Sequence, residues 1–344
     1  MSEVYTIWWI DDRGDSQDTA SVLDEQSENI VVRDIPPEGA VDRVGLIEED
    51  SDDTTKSDQF TKPDMALIDW KLYEQGNYTG KGTSMLGLLR DKFGRIPIYG
   101  FSAEPRDINQ EQFLRVFNVE YFTYLGAAED LIEDIRDFEK IDQQTDQGLD
   151  GLISTLEPPE DQIDKLKPII PRELSDGISG HEDGEIAGLH QFTEWVWKRF
   201  LHTPGPVLDD QWTATKLGLT REAFQSKKEA LLEAEVDQLK YTGVLSPEKD
   251  RWWKSSIVQA LMDIDKERGG EGKFETTWKK GADLFAESKD ELAHCEVCEK
   301  ILPETVAAPS PNSDERKPVH HRCSDIHHSR EGSFADFRIF SKSD

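Results

Sequence analysis

Three aspartates pose the first chemical question. Asp11 and Asp12 close the apolar run Val4 to Ile10 (VYTIWWI), and Asp69 closes a second run, Met65 to Ile68 (MALI). Short runs rich in β-branched and aromatic residues read as strands. In an open parallel sheet, groups beyond the carboxyl ends of the strands gather on one rim. Ser102 follows a further run, Ile96 to Phe101 (IPIYGF), and falls on that same rim. Carboxylates crowded into one small site repel each other, and a hard divalent cation with oxygen ligands, Mg²⁺ before others, is the natural counter-charge.

A second constellation lies near the other end of the chain. Cys295 and Cys298 form a C-x2-C pair, and after 21 intervening residues His320 and Cys323 form H-x2-C. These use all three cysteines of the chain. An odd number, with no leader visible, argues against a disulfide framework. Each short pair forms a knuckle with both ligands turned inward, and two knuckles complete a tetrahedron around structural Zn²⁺. His320 fits the spacing, while His321, His327, His328 and His294 are alternatives for the fourth ligand. The pattern is similar to treble-clef or zinc-ribbon modules in general.

Elements able to position these groups follow from the apolar periodicity. Strand-like runs at Val4 to Ile10, from Asn29 to Val32, Met65 to Ile68, Ile96 to Phe101 and Val119 to Thr123 alternate with helical patterns such as Ser84 to Phe93 and Ala128 to Phe138. That alternation implies βαβ crossovers and a doubly wound α/β fold over residues 1–142. The acidic stretch Glu48 to Gln59 reads as an exposed loop. Residues 143–182, with Pro158, Pro159, Pro168 and Pro171, read as a linker. Strand signals then fade: 183–290 is expected to be an α-helical domain, and 291–344 a small zinc-binding module.

The ordered pieces of the first region, WIDD (Trp9 to Asp12), LIDWKL (Leu67 to Leu72), GTSMLGLLR (Gly82 to Arg90), IPIYGFSA (Ile96 to Ala103) and EYFTYLG (Glu120 to Gly126), resemble the receiver (CheY-like) domain of two-component response regulators. The resemblance implies a flavodoxin-like (βα)5 sheet. It further implies Asp69 as phosphoacceptor from a kinase phosphohistidine, and Mg²⁺ on Asp11, Asp12, Asp69 and the carbonyl of Lys71. Ser102 would bind a phosphoryl oxygen, and Tyr121 would be the switch aromatic. Mg²⁺ in such a site neutralises the charge of an in-line transfer. One departure stands out. The family keeps a lysine at the end of the fifth strand, where this chain aligns Tyr124, and a phenol cannot supply that charge. The segment Tyr73 to Gly80 also lengthens the connection after Asp69. Both features point to a pseudo-receiver that binds a partner without being phosphorylated.

Composition narrows the partners. The formal charge of −31 opposes non-specific attraction to nucleic-acid phosphates. The stretch Ala214 to Phe224 has the spacing of a helix-turn-helix turn around Gly218, with Lys216, Arg221, Lys227 and Lys228 beside it, and gives DNA binding a minor place. No apolar run reaches the ~20 residues of a membrane span, and the opening MSEVYTIWWIDD carries no basic, cleavable leader, so a cytoplasmic location is expected. Trp195, Trp197, Trp252 and Trp253 are expected in a core or an interface. Together these features describe a non-enzymatic regulatory protein, with a histidine kinase or effector protein as partner and a homodimer as one compatible assembly. The alternative is a phosphorylatable response regulator acting on DNA. A haloacid-dehalogenase-like phosphatase would need a D-x-D pair that Asp11 and Asp12 do not make.

Overall fold

The computed structural model describes residues 3–12, 16–46, 62–72, 81–104, 113–171, 174, 182–233, 238–246, 249–301, 305–310, 313–328 and 335–339. The stretches 48–59 and 73–80 lie outside these. The chain divides into two compact units, residues 1–145 with 180–193, and residues 146–179 with 194–344.

In the first unit the expected alternation produces β1 (Tyr5–Ile10), α1 (Ser16–Asp24), β2 (Ile30–Ile35), α2 (Pro37–Leu46), β3 (Met65–Asp69), α3 (Gly82–Lys92), β4 (Ile98–Ser102), β5 (Val116–Asn118) and α4 (Ala127–Thr145). The strands form one sheet in the order β2-β1-β3-β4-β5, parallel at every pairing. This is the flavodoxin-like order, whose functional crevice lies beyond the carboxyl ends of β1 and β3. Parallel strands covered on both faces need apolar side chains on both, which is why Trp8 and Trp9 occur side by side. Trp8 packs edge-on against Phe93, with ring centroids 5.5 Å apart. Trp9 enters the opposite layer, 4.2 Å from Phe101 and 4.9 Å from Phe122. Neither indole retains appreciable exposure.

The fifth strand requires a correction. It occupies Val116–Asn118, and the residues expected to form it, Val119–Thr123, make a 3₁₀ helix. Asn118 ends the strand by accepting a hydrogen bond from the Glu120 backbone N–H at 3.1 Å. The apolar residues Val119 and Phe122 are three apart, the repeat of a 3₁₀ turn, and Phe122 is turned fully inward beneath Trp9. α4 then lays Leu131, Ile135 and Phe138 into the core. Its Asp134 receives the Arg115 guanidinium at 2.8 Å, an ion pair largely withdrawn from solvent.

The second unit also departs from expectation. Residues 146–170 are not a free connector: Leu152 and Ile153 in the short helix Gly148–Ser154, Leu156 in the turn after it and Leu166 in the helix Ile163–Leu166 are fully buried. The prolines punctuate these helices and leave them packed. Regions 183–290 and 291–344 are likewise not separate bodies, since from residue 194 onward both belong to one unit. The helical portion includes a two-stranded antiparallel ribbon, Val207–Leu208 with Trp252–Trp253. Trp252 and Trp253 are core residues, and Trp252 donates its indole N–H to Asp210 at 2.7 Å.

Around Gly218 the expected helical hairpin forms. The helix Asp210–Lys216 turns into the helix Arg221–Leu232, whose first turn is capped by the Thr220 hydroxyl. Gly218 has φ +73°, and a Cβ there would sit 2.7 Å from the Trp278 carbonyl oxygen. Gly218→Ala is therefore expected to cost at least ~1–3 kcal/mol, the usual penalty for a side chain in the left-handed region. The cost should appear as a lower urea midpoint at unchanged m-value.

Candidate functional site

β1 and β3 are paired neighbours, Ile10 opposite Ile68, so the aspartates that follow emerge together. Carboxylate oxygens of Asp11, Asp12 and Asp69 all lie within 4.8 Å of one another. Asp11 and Asp69 are almost entirely buried, and Asp12 partly so. Ser102, at the end of the adjacent β4, is 2% exposed. Its hydroxyl accepts the Glu104 backbone N–H at 3.1 Å. Lys71 donates its backbone N–H to Asp69 at 3.2 Å and its ammonium to Glu104 at 3.2 Å. An all-oxygen donor set with concentrated negative charge fits a hard divalent cation, Mg²⁺ included.

Two features of this rim were not anticipated. The β4–β5 register puts Asn118, and not Tyr124, opposite Ser102. Tyr124 lies beyond the 3₁₀ helix and is 59% exposed. The lysine the family keeps at the end of its fifth strand is absent by either alignment, since Asn118 is neutral as well. The second feature is the Lys71–Glu104 pair, which joins the exits of β3 and β4. Its partners are 33 residues apart, so no local pattern could reveal it.

Tyr121, the expected switch aromatic, is held in place. Its hydroxyl donates to Asp130 at 2.6 Å, and its ring stacks on Phe117 at 4.6 Å. Burial, and then the Asp130 carboxylate, push its phenol well above the ordinary tyrosine value.

The cysteine site is also assembled. Sγ atoms of Cys295, Cys298 and Cys323 lie within 4.8 Å of one another. A tight turn holds the first pair: Cys295 N–H donates to the Lys300 carbonyl, and Glu299 N–H to that of Cys295, with Glu299 at φ +61°. The hairpin of Thr305–Ser310 with Ser313–His320 carries the chain back to Cys323. His320 reaches the cluster through its backbone N–H, 3.1 Å from Cys295 Sγ. Among the described residues no imidazole joins the three thiols within the cluster distance. The side chains of His327 and His328 lie outside the described residues. Burial raises the Cys295 thiol, but the N–H groups of His320, Cys298 and Val297 more than offset this and leave it below the usual value. Three sulfur donors so arranged suit Zn²⁺.

Two of the four basic residues named at the helical hairpin form ion pairs within the molecule. Lys227 pairs with Glu287, and Lys228 with Asp250 at 3.3 Å.

No protein-family model matches the chain, and no curated protein matches it. Solved structures similar to parts of it include the RcsB response regulator of Salmonella typhimurium, at 13% identity and TM-score 0.28, covering 41% of this chain and 61% of that one. NtrX from Brucella abortus is 13% identical with TM-score 0.31, over 50% of this chain and 35% of that one. A CheY-like response regulator receiver domain protein from Methanospirillum hungatei JF-1 is 18% identical with TM-score 0.25, over 42% of this chain and all of its own. The chain thus spans less than two thirds of the first two. Among the described residues no helix is long and apolar enough to cross a membrane.

Proposed function

We propose that the first unit is an atypical receiver which acts by docking a protein partner, a histidine kinase or an effector, within a non-enzymatic, cytoplasmic signalling protein. The observation that carries this reading is the combination at the rim. Asp11, Asp12, Asp69 and Ser102 converge, yet the strand position flanking Ser102 holds the neutral Asn118. Asp11, Asp12 and Asp69, with the Lys71 carbonyl, would hold Mg²⁺, which would neutralise their mutual repulsion. A phosphoryl group on Asp69 would replace one negative charge by about two, where neither Asn118 nor Tyr124 supplies the ammonium that receivers keep for it. The Lys71 ammonium pairs with the exposed Glu104 at 3.2 Å. In the second unit Cys295, Cys298 and Cys323 would hold Zn²⁺, and His320, the fourth ligand by its spacing, would close the site by turning its imidazole onto the metal, for structure rather than catalysis.

Incubation with acetyl phosphate and Mg²⁺, followed by intact-mass measurement, tests the reading. No stoichiometric gain of a phosphoryl group is expected. Full labelling that disappears in Asp69→Ala would establish a working phosphoacceptor instead. The alternative of DNA binding through the Gly218 hairpin is weakened by the ion pairs that occupy Lys227 and Lys228.

A further inference from the structure

The second unit contains a cavity of about 760 Å³, well inside the ~300–1,000 Å³ range of small-molecule sites. Its walls combine the Trp212 indole with aliphatic groups such as Leu208 and Met262, and it is lined by Lys165, Lys216 and Lys254. Lys165 is neutralised by Asp161 at 3.1 Å. Among the described residues Lys216 and Lys254 have no carboxylate within ion-pair distance, in a chain with 71 acidic residues. Burial first, and then the charge of Lys254, hold the Lys216 ammonium below its ordinary value, so the two cations sense each other. Lys216 is half-buried and Lys254 exposed, and bringing like charges together costs free energy unless an anion offsets it.

Two further observations point into the same space. The helix Lys254–Glu267 starts at the cavity, and its N-cap, Trp253, offers no side-chain acceptor to the first-turn N–H groups. Such a helix end favours an anion. Ser255, at the second position of that helix, lines the cavity with a hydroxyl that is shielded from solvent and has no hydrogen-bond partner in the protein.

We infer that this cavity binds a phosphomonoester with a flat apolar body, such as a nucleotide. The dianionic head would sit between Lys216 and Lys254, with the Ser255 hydroxyl and the Ser255 and Ser256 amides as donors, since the Lys254 N–H is bonded to the Pro206 carbonyl at 2.8 Å. The body would lie against Trp212 and the aliphatic wall. Nothing in this assignment depends on the carboxylate rim of the first unit or on the cysteine cluster.

Isothermal titration of the full chain with AMP, GMP, UMP and FMN tests the assignment. At least one should bind saturably with a Kd below about 1 mM. Its dephosphorylated counterpart and inorganic phosphate should each bind at least about tenfold more weakly. Lys216→Gln and Lys254→Gln should each cost about tenfold, the scale of a charge-assisted hydrogen bond. Ser255→Asp should abolish binding by placing a carboxylate where the phosphate belongs. An acid in the first helical turn favours the helix, so this variant should keep the wild-type circular dichroism even if a lysine variant does not. Absence of saturation with all four probes, or wild-type affinity in folded Ser255→Asp, would overturn the assignment.

Discussion

One equivalent of zinc per chain is expected in the purified protein, and Cys298→Ser should remove it together with the fold around residues 294–323. That segment has little buried apolar packing of its own. Its buried cluster consists of Cys295, Ala308 and Val319, with Val297, Val306 and the other two cysteines packed around them. So small an apolar core contributes only a few kcal/mol at ~25 cal/mol per Å². Structural zinc in comparable short peptides is worth ~10–16 kcal/mol of apparent binding free energy. Without a cation the thiols oppose one another: burial and then the Cys295 charge push Cys323 up to about 11. Elemental analysis and thermal unfolding with and without a strong chelator give the readout. His320→Ala should weaken retention of the metal, and His321→Ala should not. A metal-free wild-type protein, or full metal content in Cys298→Ser, would refute the assignment.

The second large effect concerns the ion pair that ties the start of β5 to α4. Arg115→Ala is expected to destabilise the first unit by about 3–5 kcal/mol at pH 8, because it leaves the Asp134 carboxylate buried without its cation. The Asp134 carboxyl is already raised to about 6, by burial against the opposing pull of Arg115. Its folded value therefore exceeds the unfolded ~3.9. Between these values the folded state binds the extra proton, so stability falls as pH rises through the window from about 4 to 6. Removing Arg115 raises the folded value further and extends that decline above pH 6. The penalty of the substitution should be largest at pH 8 and small near pH 4. What remains at acid pH reflects the lost contact of the guanidinium with the Phe117 ring, 4.4 Å away. Urea titrations at pH 5 and pH 8 decide the matter, and Arg115→Ala with Asp134→Asn should restore most of the loss. An equal penalty at both pH values would mean that the buried charge is not its cause.

The chemistry-bearing residues were the most legible part of the sequence. Asp11, Asp12 and Asp69 each terminate an apolar run, and once the strands are parallel and adjacent their meeting is a matter of topology. The cysteines announce themselves by spacing. The fifth strand is hard to place because apolar residues recur from Val116 to Phe122 on both sides of Asn118 and Glu120, and its division depends on Asn118 acting as a cap and on Phe122 filling space beneath Trp9. Those are tertiary facts. The proline-rich stretch misled for a similar reason: proline marks where a helix stops, and says nothing of whether Leu152 or Leu166 is buried. Arg115 with Asp134, Lys71 with Glu104, and Lys216 with Lys254 are partnerships across the fold that no periodicity records.

The start of α3 has a bearing on the connection that follows Asp69. A Cβ on Gly82 would lie 2.7 Å from the backbone oxygen of Asp69, so the chain leaves the acidic rim and returns to the same point thirteen residues later. Two ends pinned together isolate whatever is inserted between them. The entropy of closing such a segment rises only with the logarithm of its length, about 0.6 kcal/mol per doubling. The site can therefore acquire added sequence beside its central aspartate while the carboxylates stay where they are. Gly82 makes this a tolerant graft point, open to new recognition surfaces in evolution and to reporter insertions in the laboratory.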